Sequence, residues 1–349
     1  MQHQALSTFL VPPAPSPDVL DPAGLTLTGA PDDAAWSLRH HANYLAAMRL
    51  AGGTAPEWRT RVADTMTRHV RKNAGRGKVS LTDKGAQSLR NGWNTELLLA
   101  MQLDSPELIQ PANHWAPVQA YYAVQGVSLA WFRLSGANAG PTTHAAQRKE
   151  IGELFLKHRA IPYPFNMVSI AARPHEQVTV GGRAVSRTRG LQLAAPPTAT
   201  DAAAYVYSAL TATRHRFDEV ERQQWLANNR DRRRRSPQEA DHHDRDVGTI
   251  TLVDYLYRLR LQANYADSEV FTSSGIGHDD PERFLRGLVD VVSRINEVFE
   301  HLIASRVGVR ALDESLDLIR RAHSRQDRGA FHRAASWPDP FHERSRRAQ

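Results

Sequence analysis

The chain has 349 residues, 41% hydrophobic and 23% charged, with a formal net charge of +7 and no cysteine. That length and balance fit one enlarged globular domain or two modest ones, and no apolar run approaches the ~18 residues that a membrane-spanning helix needs. The lack of cysteine excludes disulfides, thiolate metal sites and thiol nucleophiles. The arginine-borne charge suits an anionic partner such as nucleic acid, because guanidinium is a fork of donors matched to phosphate; GC-rich coding would give the same composition.

Residues 1–30 are proline-rich and aperiodic, which predicts a flexible arm. No basic segment precedes their short apolar run, so a secretory signal is not expected and a cytoplasmic location is. Pro31-Asp32-Asp33 reads as a helix start, with acidic residues at the positive end of the dipole, and the helix should stop at Gly52-Gly53. Two more helices are expected over 56–72 and 81–101, completing an N-terminal helical region at 31–110. Residues 113–134 leave few outward polar positions once Pro117 has opened the helix, so this element should be central. A glycine-containing loop then gives way to a shorter helix at Thr143-His144.

The helical rhythm lapses over 161–248, which reads as an insertion into the bundle. Its VTVGGRAV stretch predicts a β-hairpin around Gly181-Gly182. A helix from Asp201 follows, and it closes in the basic run Arg230, Arg232, Arg233, Arg234 and Arg235. That run can contact a nucleic-acid backbone or form a solvated face. Residues 252–271 predict one amphipathic helix with Leu252, Leu256, Leu259 and Ala263 on its apolar stripe. A long helix over 281–304, a short one over 312–323 and a basic tail complete the chain, the last two making up 311–349.

Three stretches together resemble the HEPN superfamily, particularly its bacterial subgroup found beside minimal nucleotidyltransferases. Gln119-Ala120-Tyr121-Tyr122-Ala123 is similar to that subgroup's Ala-Tyr-Tyr-Ala helix. Thr143-His144 opens the next helix, and Leu259-Arg260-x-x-Ala263-Asn264-Tyr265-x-Asp267 resembles its Leu-Arg-x-x-Ala-Asp-Tyr-Asp-Asp motif, with Asn264 in place of the usual aspartate. The resemblance implies a mainly α fold, with a HEPN-like bundle formed by 111–160 and 249–310. It also implies a cytoplasmic protein of a defence or toxin–antitoxin type system that binds or cleaves RNA without a metal or other cofactor. Its partner would be a second copy or a second protein such as a nucleotidyltransferase-like antitoxin, with no membrane involved. The alternative is a non-catalytic helical module that binds a protein or nucleotide.

Active members of the superfamily cleave RNA with an arginine and a histidine that follows it after four to six intervening residues. Imidazole exchanges a proton with the ribose 2′-hydroxyl or the leaving oxygen, while guanidinium stabilises charge on phosphate. Arg235/His242, Arg294/His301 and Arg325/His332 all have that spacing. Arg294 and His301 lie two turns apart on the long helix and so share a face, which makes them the expected catalytic pair. His144 also has the simpler reading of a cap or buried partner, and Tyr121, Tyr122 and Tyr265 that of core aromatics. Asp241-His242-His243-Asp244 has ligand-type side chains but no second ligand set, so no metal site is expected.

Overall fold

The computed structural model describes residues 31–73, 79–134, 140–157, 161–170, 177–180, 183–185, 191–229, 247–266, 269–272 and 279–322. The chain is mainly helical, with one small sheet. In chain order the helices are α1 (Pro31–Gly52), α2 (Ala55–Asn73), α3 (Asp83–Met101), α4 (Pro106–Ala112), α5 (Ala116–Phe132) and α6 (His144–Lys157). Strands β1 (Met167–Ile170), β2 (Gln177–Val180) and β3 (Arg183–Ala184) come next. They are followed by α7 (Ala202–Asn228), α8 (Leu252–Leu261), α9 (Glu269–Thr272), α10 (Asp280–Val307) and α11 (Val309–Ala322). No helix of the described residues is long and apolar enough to cross a membrane.

Local signals in the sequence explain several helix ends. Gly53, at φ 76°, stops α1 in a conformation that only glycine adopts freely. Thr54 and Glu57 cap α2 reciprocally: the Thr54 N–H donates to Glu57 Oε2 at 2.7 Å, and the Glu57 N–H donates to Thr54 Oγ1 at 3.4 Å. Thr251 and Asp254 make the same box at the start of α8.

Helices α5 and α10 lie at the centre. α10 packs against α1, α2, α3, α5 and α11, and the α3–α5 contact is the most extensive among the described elements. Glycine makes that contact possible: a Cβ on Gly126 would lie 2.7 Å from Gly92 Cα, and one on Gly92 would lie 2.8 Å from the Val127 nitrogen. The two backbones therefore touch. The N-terminal helices share this core, since Leu38, Leu45, Met48, Trp58 and Val62 belong to the same hydrophobic cluster as Val124, Leu256 and Phe299. Polar groups are tied in as well: Asp280 pairs with Arg39 at 3.0 Å and Arg283 at 3.1 Å, and Arg283 donates to Asn43 Oδ1 at 2.6 Å.

The sheet has the order β1-β2-β3, all antiparallel, and Val180 pairs with Arg183 across the expected Gly181-Gly182 turn. Strand β1, which periodicity in the sequence does not announce, is held by the return of the chain. Ser169 and Ile250 exchange both backbone hydrogen bonds at 2.9 Å, and the buried Arg214 donates to Ser169 O and Gly248 O at 2.7 and 2.6 Å.

The expected continuous helix over 252–271 is not found. α8 ends at Leu261, a π-helical turn spans Gln262–Ala266, and α9 begins at Glu269. Asn264 sits in the widened turn, in keeping with the competition that its amide offers the helical backbone. The short α4 is also additional to the helices expected from the sequence.

Candidate functional site

Residues quoted for the resemblance meet where α5, α6 and α8 come together. Tyr121 and Tyr122 are adjacent on α5 and therefore point in different directions: Tyr121 is 1% exposed and Tyr122 is 38% exposed. Thr143 caps α6, accepting from the Ala146 N–H at 3.1 Å, which sets His144 at the helix start facing α5. Arg148 follows one turn later on the same side. Tyr257 and Arg260 lie three apart on α8 and turn toward the same place.

His144 Nδ1 is 3.0 Å from Tyr121 Oη and 3.0 Å from Gln125 Nε2. The amide nitrogen of Gln125 can only donate, so Nδ1 is an acceptor and the neutral ring carries its proton on Nε2, with orientations assigned from this network. Burial, and then the Arg260 and Arg148 charges, hold His144 below its ordinary pKa. The ring is therefore neutral at pH 7 and presents an Nε2–H donor. Burial also pushes the Tyr121 hydroxyl above its usual range, keeping it a donor.

The two arginines are held in different ways. Arg148 Nε donates to Asp254 Oδ1 at 2.5 Å, and its guanidinium lies 4.3 Å from the Phe217 ring centroid and 4.6 Å from that of Tyr257. Asp254 Oδ2 is itself fixed by the Thr251 N–H and hydroxyl, both at 2.8 Å. Arg260 is only 9% exposed and sits among three phenol rings, 5.6 Å from Tyr121, 5.2 Å from Tyr122 and 5.5 Å from Tyr257. It donates to Tyr122 Oη at 3.1 Å, its Nε has no acceptor, and no carboxylate pairs with it among the described residues. Ring faces attract a guanidinium without neutralising it. Among the described residues the site thus carries a positive charge that no carboxylate compensates, beside a neutral N–H donor and a phenol, a set able to receive an anionic oxygen.

Sequence motifs pointed to Tyr121, Tyr122, His144 and Arg260, and the structure brings all four together. They did not point to Arg148, Gln125, Asp254 or Tyr257. The Thr251-x-x-Asp254 spacing is a legible capping signal, but nothing local in the sequence announces that Arg148 reaches Asp254.

The expected catalytic pair lies elsewhere. His301 is 0% exposed, and its Nδ1–H donates to Glu297 O at 2.8 Å within α10. Arg294 is 7% exposed, donates to Gly53 O at 2.7 Å and lies 5.5 Å from the Trp58 ring centroid. Burial lowers its pKa. Both are enclosed, one turned to the Gly52–Gly53 corner and the other to its own helix backbone. Asp267, Arg230, Arg232, Arg233, Arg234, Arg235 and the pairs Arg235/His242 and Arg325/His332 lie outside the described residues, as does Asp241-His242-His243-Asp244. Tyr265 falls in the π turn, and its side chain is also outside them. Among the described residues, no cluster of three or more histidines and carboxylates could hold a metal.

No family model, no curated protein and no solved structure matches the chain.

Proposed function

We propose that this chain is a HEPN-like helical protein that binds RNA, the phosphate backbone being received by Arg260, Arg148 and the Nε2–H of His144. The observation that supports this most is the convergence itself. Partners 23 and 138 positions apart in sequence, each quoted for the resemblance, stand within hydrogen-bond distance around a guanidinium that no carboxylate among the described residues pairs with. In the setting that the resemblance implies, a bacterial defence or toxin–antitoxin type system, the chain acts as a homodimer or with a second protein.

Binding is favoured over cleavage for two reasons. His301, the expected acid/base, has no solvent exposure from which to reach a 2′-hydroxyl. His144 has its lone pair committed to Tyr121 and Gln125, which leaves a donor where a general base would need an acceptor.

The test is fluorescence anisotropy with labelled RNA over a range of salt, comparing the full chain with Arg260→Gln and Arg148→Gln. Arg260→Gln should weaken binding and lower the slope of log K against log salt by about 0.7 for a single strand, the value for one phosphate no longer neutralised; Arg148→Gln, whose charge is already met by Asp254, should weaken binding with a smaller change of slope. Unchanged affinity and slope in the double variant would remove the proposal. RNA cleavage in expressing cells that vanished with His301→Ala would move the activity to α10.

A further inference from the structure

We infer that the face of α5 carrying Trp115 and Tyr122 is a stacking surface for nucleobases of a single RNA strand whose phosphate is held at Arg260; this rests on the RNA reading above. Trp115 is 57% exposed and Tyr122 is 38% exposed, although neighbouring α5 residues Ala116, Pro117, Val118, Ala120 and Tyr121 are buried. The two positions are seven apart. The hydrogen bond from the Gln119 N–H to Trp115 O at 3.0 Å shows that the helical path already includes Trp115. Seven residues return to the same side of a helix, about 10 Å further along its axis.

Both rings are exposed yet held. Trp115 lies against the His114 ring at 5.7 Å between centroids and 30° between planes, and His114 Nε2–H is anchored to Ala263 O at 3.1 Å in the π turn. Tyr122 is fixed by the Arg260 hydrogen bond and by edge-on contacts with Tyr121 at 5.7 Å and His144 at 5.9 Å. Rigid, outward aromatic rings lose little entropy on accepting a base. Arg260 supplies charge complementarity beneath one of them, and a ring with a π face outward accepts any base, which gives affinity without strong sequence preference. A duplex keeps its base faces stacked inside and cannot use such a surface.

The experiment measures anisotropy of a labelled single strand of about 12 nucleotides and of the same sequence as a duplex. The proteins are the full chain, Trp115→Ala, Trp115→Phe and Arg260→Gln. A stacked base contributes about 1–3 kcal/mol, so Trp115→Ala should weaken single-strand binding roughly 5- to 100-fold at about 1.4 kcal/mol per decade. Trp115→Phe should retain most of the affinity, and duplex binding should not change. Because Trp115 is largely exposed, thermal melting of the alanine variant should match that of the wild type.

Single-strand affinity unchanged in Trp115→Ala but reduced in Arg260→Gln overturns the stacking surface and leaves the phosphate site standing. Equal losses for strand and duplex in Trp115→Ala also overturn it. A dimer that becomes a monomer in Trp115→Ala with RNA affinity intact shows a contact between copies instead. No RNA binding by the wild type removes both readings together.

Discussion

The close approach of the α3 and α5 backbones at Gly92 and Gly126 makes stability sensitive to a single methyl group. In Gly126→Ala the new methyl carbon would stand 2.7 Å from both Gly92 Cα and Gly92 N, about 0.7 Å inside the 3.4 Å at which ordinary contact begins. The obstacle is backbone on both sides, so no side chain can rotate away, and α3 and α5 must separate along their whole contact. A gap of 0.5–1 Å forfeits a quarter to a half of each affected dispersion contact, and overpacking of this kind costs about 1–3 kcal/mol. With backbone as the obstacle the upper end applies, offset by about 1 kcal/mol of improved helix propensity. The net loss is about 2 kcal/mol. With an m-value on the order of 3–4 kcal/mol per molar for a chain of this size, the urea midpoint should fall by about half a molar. Gly92→Ala should behave alike. The double variant should lose less than the two losses together, because one separation relieves both clashes. The sign is the decisive readout, since alanine in a roomy helix position would stabilise. A Gly126→Ala chain more stable than wild type would refute the backbone contact.

Asp254 serves two structures at once, capping α8 and holding Arg148. Asp254→Asn should cost about 3 kcal/mol, combining a cap of about 1 with the disruption of a mostly buried pair. It should also weaken RNA binding; an unchanged urea midpoint would contradict the geometry. His41 is fully buried against Tyr255 Oη at 3.1 Å, and burial holds its pKa well below the ordinary value of 6.5. Below pH 6.5 the unfolded chain takes up a proton that the folded chain refuses until its own lower pKa is reached. Stability should therefore fall by up to about 1.4 kcal/mol per pH unit in that window. His41→Gln should flatten this dependence between pH 7.5 and 5.0 in urea titrations, whereas parallel curves would exclude His41 as its source. His301→Ala should lose about 2–4 kcal/mol as a core truncation while the folded protein binds RNA as before. Lost binding at full stability would place His301 at the RNA site.

Patterns with a local cause were legible in the sequence. The stop of α1 at Gly52-Gly53, the Pro117 start of α5 and the hairpin arms about Gly181-Gly182 each follow from the conformational limits of one or two residues. The long α10 was visible from its apolar spacing. Spacing also placed Arg294 and His301 on one helix, but a shared face does not say whether that face meets water: the α1–α2 corner covers Arg294, and His301 is fully buried. Arg294 lies against Trp58 and Gly53, residues more than two hundred positions away whose arrival no periodicity in α10 announces. The break of 252–271 into α8 and a π turn was hidden for a similar reason. Its apolar positions still read at helical spacing, and the widened turn is settled by tertiary contacts such as that of His114 with Ala263 O.

The contrast between the two arginines explains how a mostly buried cluster can stay ready for a ligand. A guanidinium removed from water loses solvation that must be replaced, and a carboxylate replaces it most fully. Arg148 takes that course with Asp254 and so contributes orientation more than net charge. Arg260 instead rests among three aromatic rings, whose faces attract cations by about 0.5–2 kcal/mol each without carrying opposite charge. Among the described residues the positive charge is thus held in place but not cancelled, and the Nε without an acceptor marks incomplete compensation. On the proposed reading, an anion arriving beside the half-exposed Tyr122 would meet a guanidinium already positioned and a His144 ring that burial, and then the same charge, keeps neutral and donating. Replacing any one of the three rings with a carboxylate would make the folded chain electrostatically more comfortable and the site less able to bind.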